Sequence, residues 1–89
     1  MSQHLLMIED DARLAAMVAQ YLEQSGFTVS CAGDGQSGLH QLNNPVKGAA
    51  TDLVILDLML PDMDGLEVCR RIRALPSSLA QVPLSLIHI

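Results

Sequence analysis

The sequence has few of the residue types that mark secreted, membrane-spanning or metal-thiolate proteins. Its 89 residues include no tryptophan and only two cysteines, Cys31 and Cys69. Neither cysteine has a histidine or a second cysteine at metal-ligand spacing, so we expect two reduced thiols that fill small core positions. No apolar run approaches the roughly 20 residues that cross a bilayer, and we find no export signal. These absences predict a soluble cytoplasmic protein.

Basic residues are also scarce, since five lysines and arginines stand against ten acidic residues and give a formal charge of −5. This balance argues against direct nucleic-acid binding by the chain itself. The length allows one small domain, and 49% apolar with 17% charged residues is typical of a globular domain rather than of a collagen-like, coiled-coil or multidomain chain. The acids form two clusters: Glu9, Asp10 and Asp11, then Asp57, Asp62, Asp64 and Glu67.

Short apolar runs that alternate with helical periodicity predict an α/β fold. His4–Ile8 (HLLMI) is too short for a helix and is typical of a strand covered on both faces. A period of 3.6 residues then runs from Asp11 to a stop at Gly26, and we expect its apolar stripe, Tyr21 included, to be buried. Further strands are predicted over 27–32 and 53–56, the latter again covered on both faces, with helices over 36–42 and from Asp64. Buried strands that each precede a helix predict a doubly wound parallel sheet with right-handed crossovers.

Acidic residues follow two of the predicted strands directly. Glu9 and Asp10 come after the first strand, and Asp57 comes after the third. Ligands of open parallel sheets gather outside the carboxyl ends of the strands, so neighbouring strands would bring these three carboxylates into one cleft. Their repulsion calls for a proton or a cation, and Mg²⁺ suits carboxylates combined with phosphate oxygens. With such an ion present, Asp57 can attack a phosphoryl group as a nucleophile. We expect four groups of the chain to hold the ion. They are Asp57, Asp10 by direct contact, Glu9 through a water molecule, and Met59 by its backbone carbonyl.

Two segments of the sequence resemble a known family. LLMIEDD and DLVILDLMLPDMDGLEVCRRIR are similar to the first strand and the phosphoacceptor segment of response-regulator receiver domains from bacterial two-component systems, especially OmpR-like transcription factors. The resemblance covers residues 4 to about 83. It implies a flavodoxin-like fold with strand order 2-1-3-4-5, Mg²⁺ at Glu9, Asp10 and Asp57, and phosphorylation of Asp57 by a partner histidine kinase. It also implies a signalling domain rather than an enzyme, whose DNA-binding output domain is missing from this chain.

The chain departs from that family near its end. We expect residues 1–83 to form a partial receiver domain with three helices, three strands and a candidate fourth strand that starts near Gln81–Pro83. Residues 84–89 (LSLIHI) are what CTGTCTCTTATACACATC encodes, which is similar to the mosaic-end adaptor of transposase-based libraries, so we interpret them as a non-native tail. His88 stands where the family has a hydroxyl that binds the phosphoryl group, and the family's later lysine and dimer face have no counterpart. We therefore expect a marginally stable chain with an exposed apolar edge.

Two other interpretations remain open. The first is a receiver-like module that binds a partner without being phosphorylated. The second is a dinucleotide-binding fragment, because Gly33, Gly35 and Gly38 match a glycine pattern that follows a strand and opens a helix. A calcium loop over 62–65 is excluded by Leu60, which stands where a third oxygen ligand is needed. The three histidines and the arginines of 70–73 are expected to be satisfied or solvated groups.

Overall fold

One four-stranded sheet and three α-helices make up the described part of the chain, which is residues 3–45 and 50–87 of a computed structural model. In chain order the elements are β1 (His4–Ile8), α1 (Ala12–Gln24), β2 (Thr28–Ala32), α2 (Gly35–Asn43), β3 (Leu53–Asp57), α3 (Gly65–Arg73), a short 3₁₀ helix (Ser78–Gln81) and β4 (Leu84–Ile87). The strands are parallel and lie in the order β2-β1-β3-β4. The predicted α/β class is confirmed. Among these described helices, none has the length and apolar character needed to cross a membrane.

Strand β1 lies at the centre of the sheet, between β2 and β3. All five of its residues are buried, because it has a strand on each side and its apolar side chains point alternately to both faces. Leu6 and Ile8 lie opposite Val54 and Leu56 of β3, and this group forms one core with Ile72 of α3. The continuous apolar run of β1 thus reflects its central position.

An aspartate occupies the N-cap position directly before each of the three α-helices. Asp11 accepts hydrogen bonds from the Arg13 and Leu14 amides, both at 3.1 Å. In the same way Asp34 caps α2 and Asp64 caps α3. Such caps satisfy amides that the first helical turn leaves unpaired. Two of the clustered acids, Asp11 and Asp64, are therefore explained by helix capping, and the helix N-termini lie at the carboxyl edge of the sheet.

Helix α1 is less buried than the sequence pattern predicts. Tyr21 is 69% exposed and Met17 is 62% exposed, so the prediction that Tyr21 is buried is wrong. Only Ala15 of this helix is fully buried, because a small residue lets the helix approach the sheet while the flanking side chains stay at its margin. The prediction for Cys31 is also wrong, since its side chain on the edge strand β2 is exposed, whereas Cys69 is half-buried.

Strand β4 is formed by residues for which a tail was expected. Leu84–Ile87 pairs with β3 in parallel, with Leu84 opposite Val54. The strand begins just after the expected start at Gln81–Pro83, because those residues close the 3₁₀ turn. The non-native origin of 84–89 stays a prediction, and His88 lies outside the described residues. Strand β3 is fully buried on one face only, since Leu53 and Ile55 are half-buried, so its predicted cover on both faces is incomplete.

Candidate functional site

Three carboxylates meet at the carboxyl edge of the sheet. Glu9 and Asp10 follow β1, and Asp57 is the last residue of β3, which pairs directly with β1. One carboxylate oxygen from each residue lies within 4.8 Å of the others. The convergence predicted from the strand ends is therefore present, while the role of each residue as a metal ligand stays a prediction.

The three carboxylates differ in their exposure to solvent. Glu9 is 4% exposed and Asp57 is 7% exposed, whereas Asp10 lies open to solvent. The Glu9 amide donates a hydrogen bond to the Ala32 carbonyl at 2.9 Å, which ties the end of β1 to β2. Within the described residues, Oε2 of Glu9 is a buried oxygen with no hydrogen-bond partner. Buried polar groups are almost always paired, so this oxygen marks a position for a proton, a cation or water.

The ionisation of Glu9 is strongly disfavoured. Burial, the largest cause, acts together with the neighbouring carboxyl groups of Asp57 and Asp10 to raise the pKa of Glu9 to about 7. The cause is physical, because a carboxylate loses hydration when buried and is repelled by like charges. Near neutral pH Glu9 therefore keeps its proton in a substantial fraction of the molecules when no ion is bound.

The loop between β3 and α3 shapes one wall of the cluster. The Met59 amide donates a hydrogen bond to Oδ1 of Asp57 at 3.1 Å. The Gly65 amide donates to the Leu58 carbonyl at 2.8 Å, which brings the start of α3 against the end of β3. A Cβ at Gly65 would clash with the Asp57 carbonyl and lie 2.8 Å from Cα of Leu58. This close approach requires glycine and explains the Asp64-Gly65 pair before the helix.

Asp62 is a functional candidate that the sequence analysis missed. Its carboxylate accepts hydrogen bonds from the Gly35 amide at 2.8 Å and from the Gln36 amide at 2.9 Å. These bonds lower the pKa of Asp62, with the Gly35 amide as the largest cause. The sequence does show that the first amides of a helix at this position need hydrogen-bond acceptors. Nothing in the local sequence indicates that the acceptor is an aspartate 27 residues away.

Gly35 and Gly38 of α2 allow close packing and do not cradle a dinucleotide. The amides of Gly35 and Gln36 are occupied by Asp62, so they are not available to a pyrophosphate. A Cβ at Gly38 would lie 2.7 Å from Cγ1 of Ile8, and one at Gly35 would lie 2.7 Å from Cγ of Met63. Because Asp62 occupies the amides at the start of α2 and close packing explains Gly35 and Gly38, the dinucleotide interpretation is wrong.

A cavity of about 230 Å³ adjoins the acidic cluster on the side of α1. Its lining includes Glu9 and Asp10 together with small residues such as Ala12, Ala16 and Gly33. Small side chains at this position leave open space next to the carboxylates. The cavity therefore adjoins the Glu9 and Asp10 side of the cluster, and Asp57 is not among its lining residues.

The histidines and arginines were predicted to be satisfied or solvated, and the structure shows the environment of four of them. His4 is buried at the start of β1, and its Nε2 lies 3.1 Å from Oγ of Ser30, so it is a satisfied group as predicted. Arg70 and Arg71 form exposed ion pairs with Glu67. Arg73 is exposed as predicted, and it also donates hydrogen bonds to backbone carbonyls after α3. No histidine among the described residues lies in the acidic cluster.

Two curated bacterial regulators align with most of this chain. The regulator SphR of Synechococcus elongatus, a transcriptional regulatory protein of alkaline phosphatase synthesis, is 44% identical over 77 residues, which is 81% of this chain and 30% of SphR. The DNA-binding response regulator MtrA of Mycobacterium tuberculosis is 45% identical over 74 residues, which is 83% of this chain and 31% of MtrA. This chain therefore spans about 30% of the length of these curated relatives.

Solved structures and the family model agree with these relatives. The chemotaxis response regulator CheY4 of Vibrio cholerae is similar with a TM-score of 0.83 and 25% identity, over 97% of this chain and 68% of that chain. The predicted flavodoxin-like receiver fold is thereby confirmed. The names of SphR and MtrA agree with the predicted resemblance to a subfamily of transcription factors. Because residues 5–87 also match the model of the response regulator receiver domain, this chain belongs to the receiver-domain family of response regulators.

Proposed function

We propose that this chain is a Mg²⁺-dependent phosphoacceptor whose Asp57 takes a phosphoryl group from a sensor histidine kinase. The observation that carries the proposal is the convergence of Glu9, Asp10 and Asp57 within 4.8 Å, with a buried Glu9 oxygen that lacks a partner. In the full-length protein the phosphorylated domain would control an output domain, which we propose to be a DNA-binding transcription regulator by similarity to MtrA. The setting of this reaction is the cytoplasm.

The donor set fits a hard divalent cation. Carboxylate oxygens and backbone carbonyls are ligands that Mg²⁺ accepts, together with water and phosphate oxygens. Asp10 and Asp57 would bind the ion directly, Glu9 through water, and Met59 through its carbonyl. When bound, Mg²⁺ supplies positive charge that offsets the carboxylates and the incoming phosphoryl group. The raised pKa of Glu9, about 7, agrees with a site whose charge is balanced by a ligand.

Asp57 is held in an orientation suited to nucleophilic attack. The Met59 amide binds Oδ1, which leaves the second carboxylate oxygen available for a new bond. That oxygen bonds to phosphorus as the P–N bond of the kinase phosphohistidine breaks, and the electron pair of the broken bond stays on the imidazole nitrogen. The product is an acyl phosphate on Asp57. Burial of Asp57 to 7% exposure limits attack by bulk water on this product.

The proposal is tested with acetyl phosphate and Mg²⁺, followed by intact mass spectrometry of the chain. We expect one added phosphoryl group, which hydroxylamine removes and which EDTA prevents from forming. Asp57→Asn should abolish the added mass, whereas Glu23→Gln, which removes an exposed charge on α1, should leave it unchanged. Failure of the folded, unsubstituted chain to incorporate phosphate would contradict the proposal and favour a receiver-like module that acts without phosphorylation.

A further inference from the structure

The loop over 58–64 carries the proposed Met59 ligand, and its path depends on contacts at three points. At its start the Met59 amide bonds to Asp57. At its end Asp64 caps α3. Between these points the Asp62 carboxylate binds the N-terminus of α2 with both oxygens, one to the Gly35 amide and one to the Gln36 amide. The middle of the loop is therefore attached to a different element from its ends.

The contact of Asp62 is not needed as the ordinary cap of α2. Asp34 already occupies the N-cap position and accepts the Ser37 amide at 2.7 Å. Asp62 takes the two remaining amides at the start of the helix, where the positive end of the helix dipole favours a carboxylate. Because the two acids have separate targets, each can be removed without deleting the hydrogen bonds of the other.

We propose that Asp62 is a positioning residue of the phosphoacceptor site, which fixes the loop so that Met59 and Asp57 keep the geometry that binds Mg²⁺. This inference rests on the proposed function. Met63 packs against Gly35 next to the same contact, since a Cβ at Gly35 would meet its side chain. The loop is thus held to α2 by a polar and an apolar contact side by side. Groups that bond directly to metal ligands typically change metal affinity about 10–100-fold when removed, and because Asp62 acts through the loop we expect an effect at the lower end of that range.

The test compares Asp62→Ala and Asp62→Asn with the matched control Asp34→Ala in the 89-residue chain. Mg²⁺ affinity is measured by calorimetric titration with the metal alone, and the free energy of unfolding is measured by urea titration. Asp62→Ala should weaken Mg²⁺ binding about tenfold. Asp62→Asn should show an intermediate loss, because its amide oxygen can accept one of the two hydrogen bonds. Asp34→Ala should lower stability while Mg²⁺ affinity stays within about twofold.

A metal-free readout follows the contact itself. Hydrogen exchange of the Gly35 and Gln36 amides should accelerate in Asp62→Ala, and exchange of the Met59 amide should accelerate with them. Unchanged Mg²⁺ affinity in Asp62→Ala, or an equal loss in Asp34→Ala, would overturn the positioning role while leaving the proposed function intact. If the unsubstituted chain bound no Mg²⁺, the proposed function would fail and this inference would fail with it.

Discussion

The acidic cluster holds one carboxyl group, Glu9, whose ionisation opposes folding. Its pKa is about 7 in the folded chain against 4.5 in the absence of structure. A group with a raised folded-state pKa binds its proton more tightly when folded, so its stabilising effect is full below about pH 4.5 and is lost as the pH rises through about 7. Each pKa unit corresponds to about 1.4 kcal/mol, which makes the change large enough to measure for a small domain.

We predict that the metal-free chain loses stability between about pH 4.5 and 7 and that Mg²⁺ restores it. The measurement is the free energy of unfolding in urea at several pH values, with and without the ion. Glu9→Gln should flatten this pH dependence, because the amide does not ionise. A Glu9→Gln chain that keeps the full pH dependence would show that another group is responsible.

Gly65 is the residue whose replacement should disturb the site without changing any charge. We predict that Gly65→Ala destabilises the chain by about 1–3 kcal/mol, because its Cβ would meet backbone atoms of Asp57 and Leu58 that cannot rotate away. Gly33→Ala is the matched control, since nothing lies within 4 Å of a Cβ at that position. The free energy of unfolding of both variants is measured in urea. A similar decrease in the two variants would contradict the steric explanation.

At the scale of elements, local patterns predicted what depends on local chemistry. The apolar run HLLMI predicted the bounds of β1 because a strand between two neighbours is buried throughout, and aspartates near strand ends predicted helix starts. The periodicity of α1 predicted a helix but not how much of its apolar stripe is covered, so Tyr21 was placed wrongly. The contact of Asp62 with Gly35 spans 27 residues and depends on how the loop folds over α2. No local pattern contains that information.

Arg73 links α3 to the segment that leads into β4. Its Nη1 donates hydrogen bonds to the carbonyls of Ala80 at 2.8 Å and Val82 at 2.7 Å. Hydrogen bonds from a charged donor contribute more to stability than hydrogen bonds between neutral groups. The two bonds of Arg73 join α3 to the segment that follows it in the chain. Arg73 therefore stabilises the position of the 3₁₀ helix and of the residues that lead into β4.

We predict that Arg73→Gln lowers the free energy of unfolding by about 1–2 kcal/mol. Arg70→Gln is the control, because it removes only an exposed ion pair with Glu67, and such pairs contribute about 0–1 kcal/mol. Hydrogen exchange of the Val54 amide, which donates to the Pro83 carbonyl at 2.9 Å, should accelerate only in Arg73→Gln. Equal effects of the two substitutions would contradict this role of Arg73.

At the scale of the whole molecule, the strands of the sheet differ in how far they are buried. Strand β1 is buried on both faces, whereas β4 pairs only with β3 within residues 3–45 and 50–87. Leu86 of β4 is 43% exposed, so the strand presents both an apolar side chain and unpaired backbone groups. An exposed apolar edge is a template for pairing with another chain. Among the described residues, the edge strand β4 thus carries the exposed apolar side chain Leu86.

We predict that the chain self-associates through β4 as its concentration rises. Leu86→Lys should shift the population toward monomer, because a lysine on an edge strand opposes pairing with a second copy. Leu66→Lys is the control, since Leu66 is 63% exposed but lies on α3, where no strand edge is available. Sedimentation velocity over a range of concentrations distinguishes the two variants. A chain that stays monomeric at every concentration and unfolds cooperatively in urea would contradict the prediction.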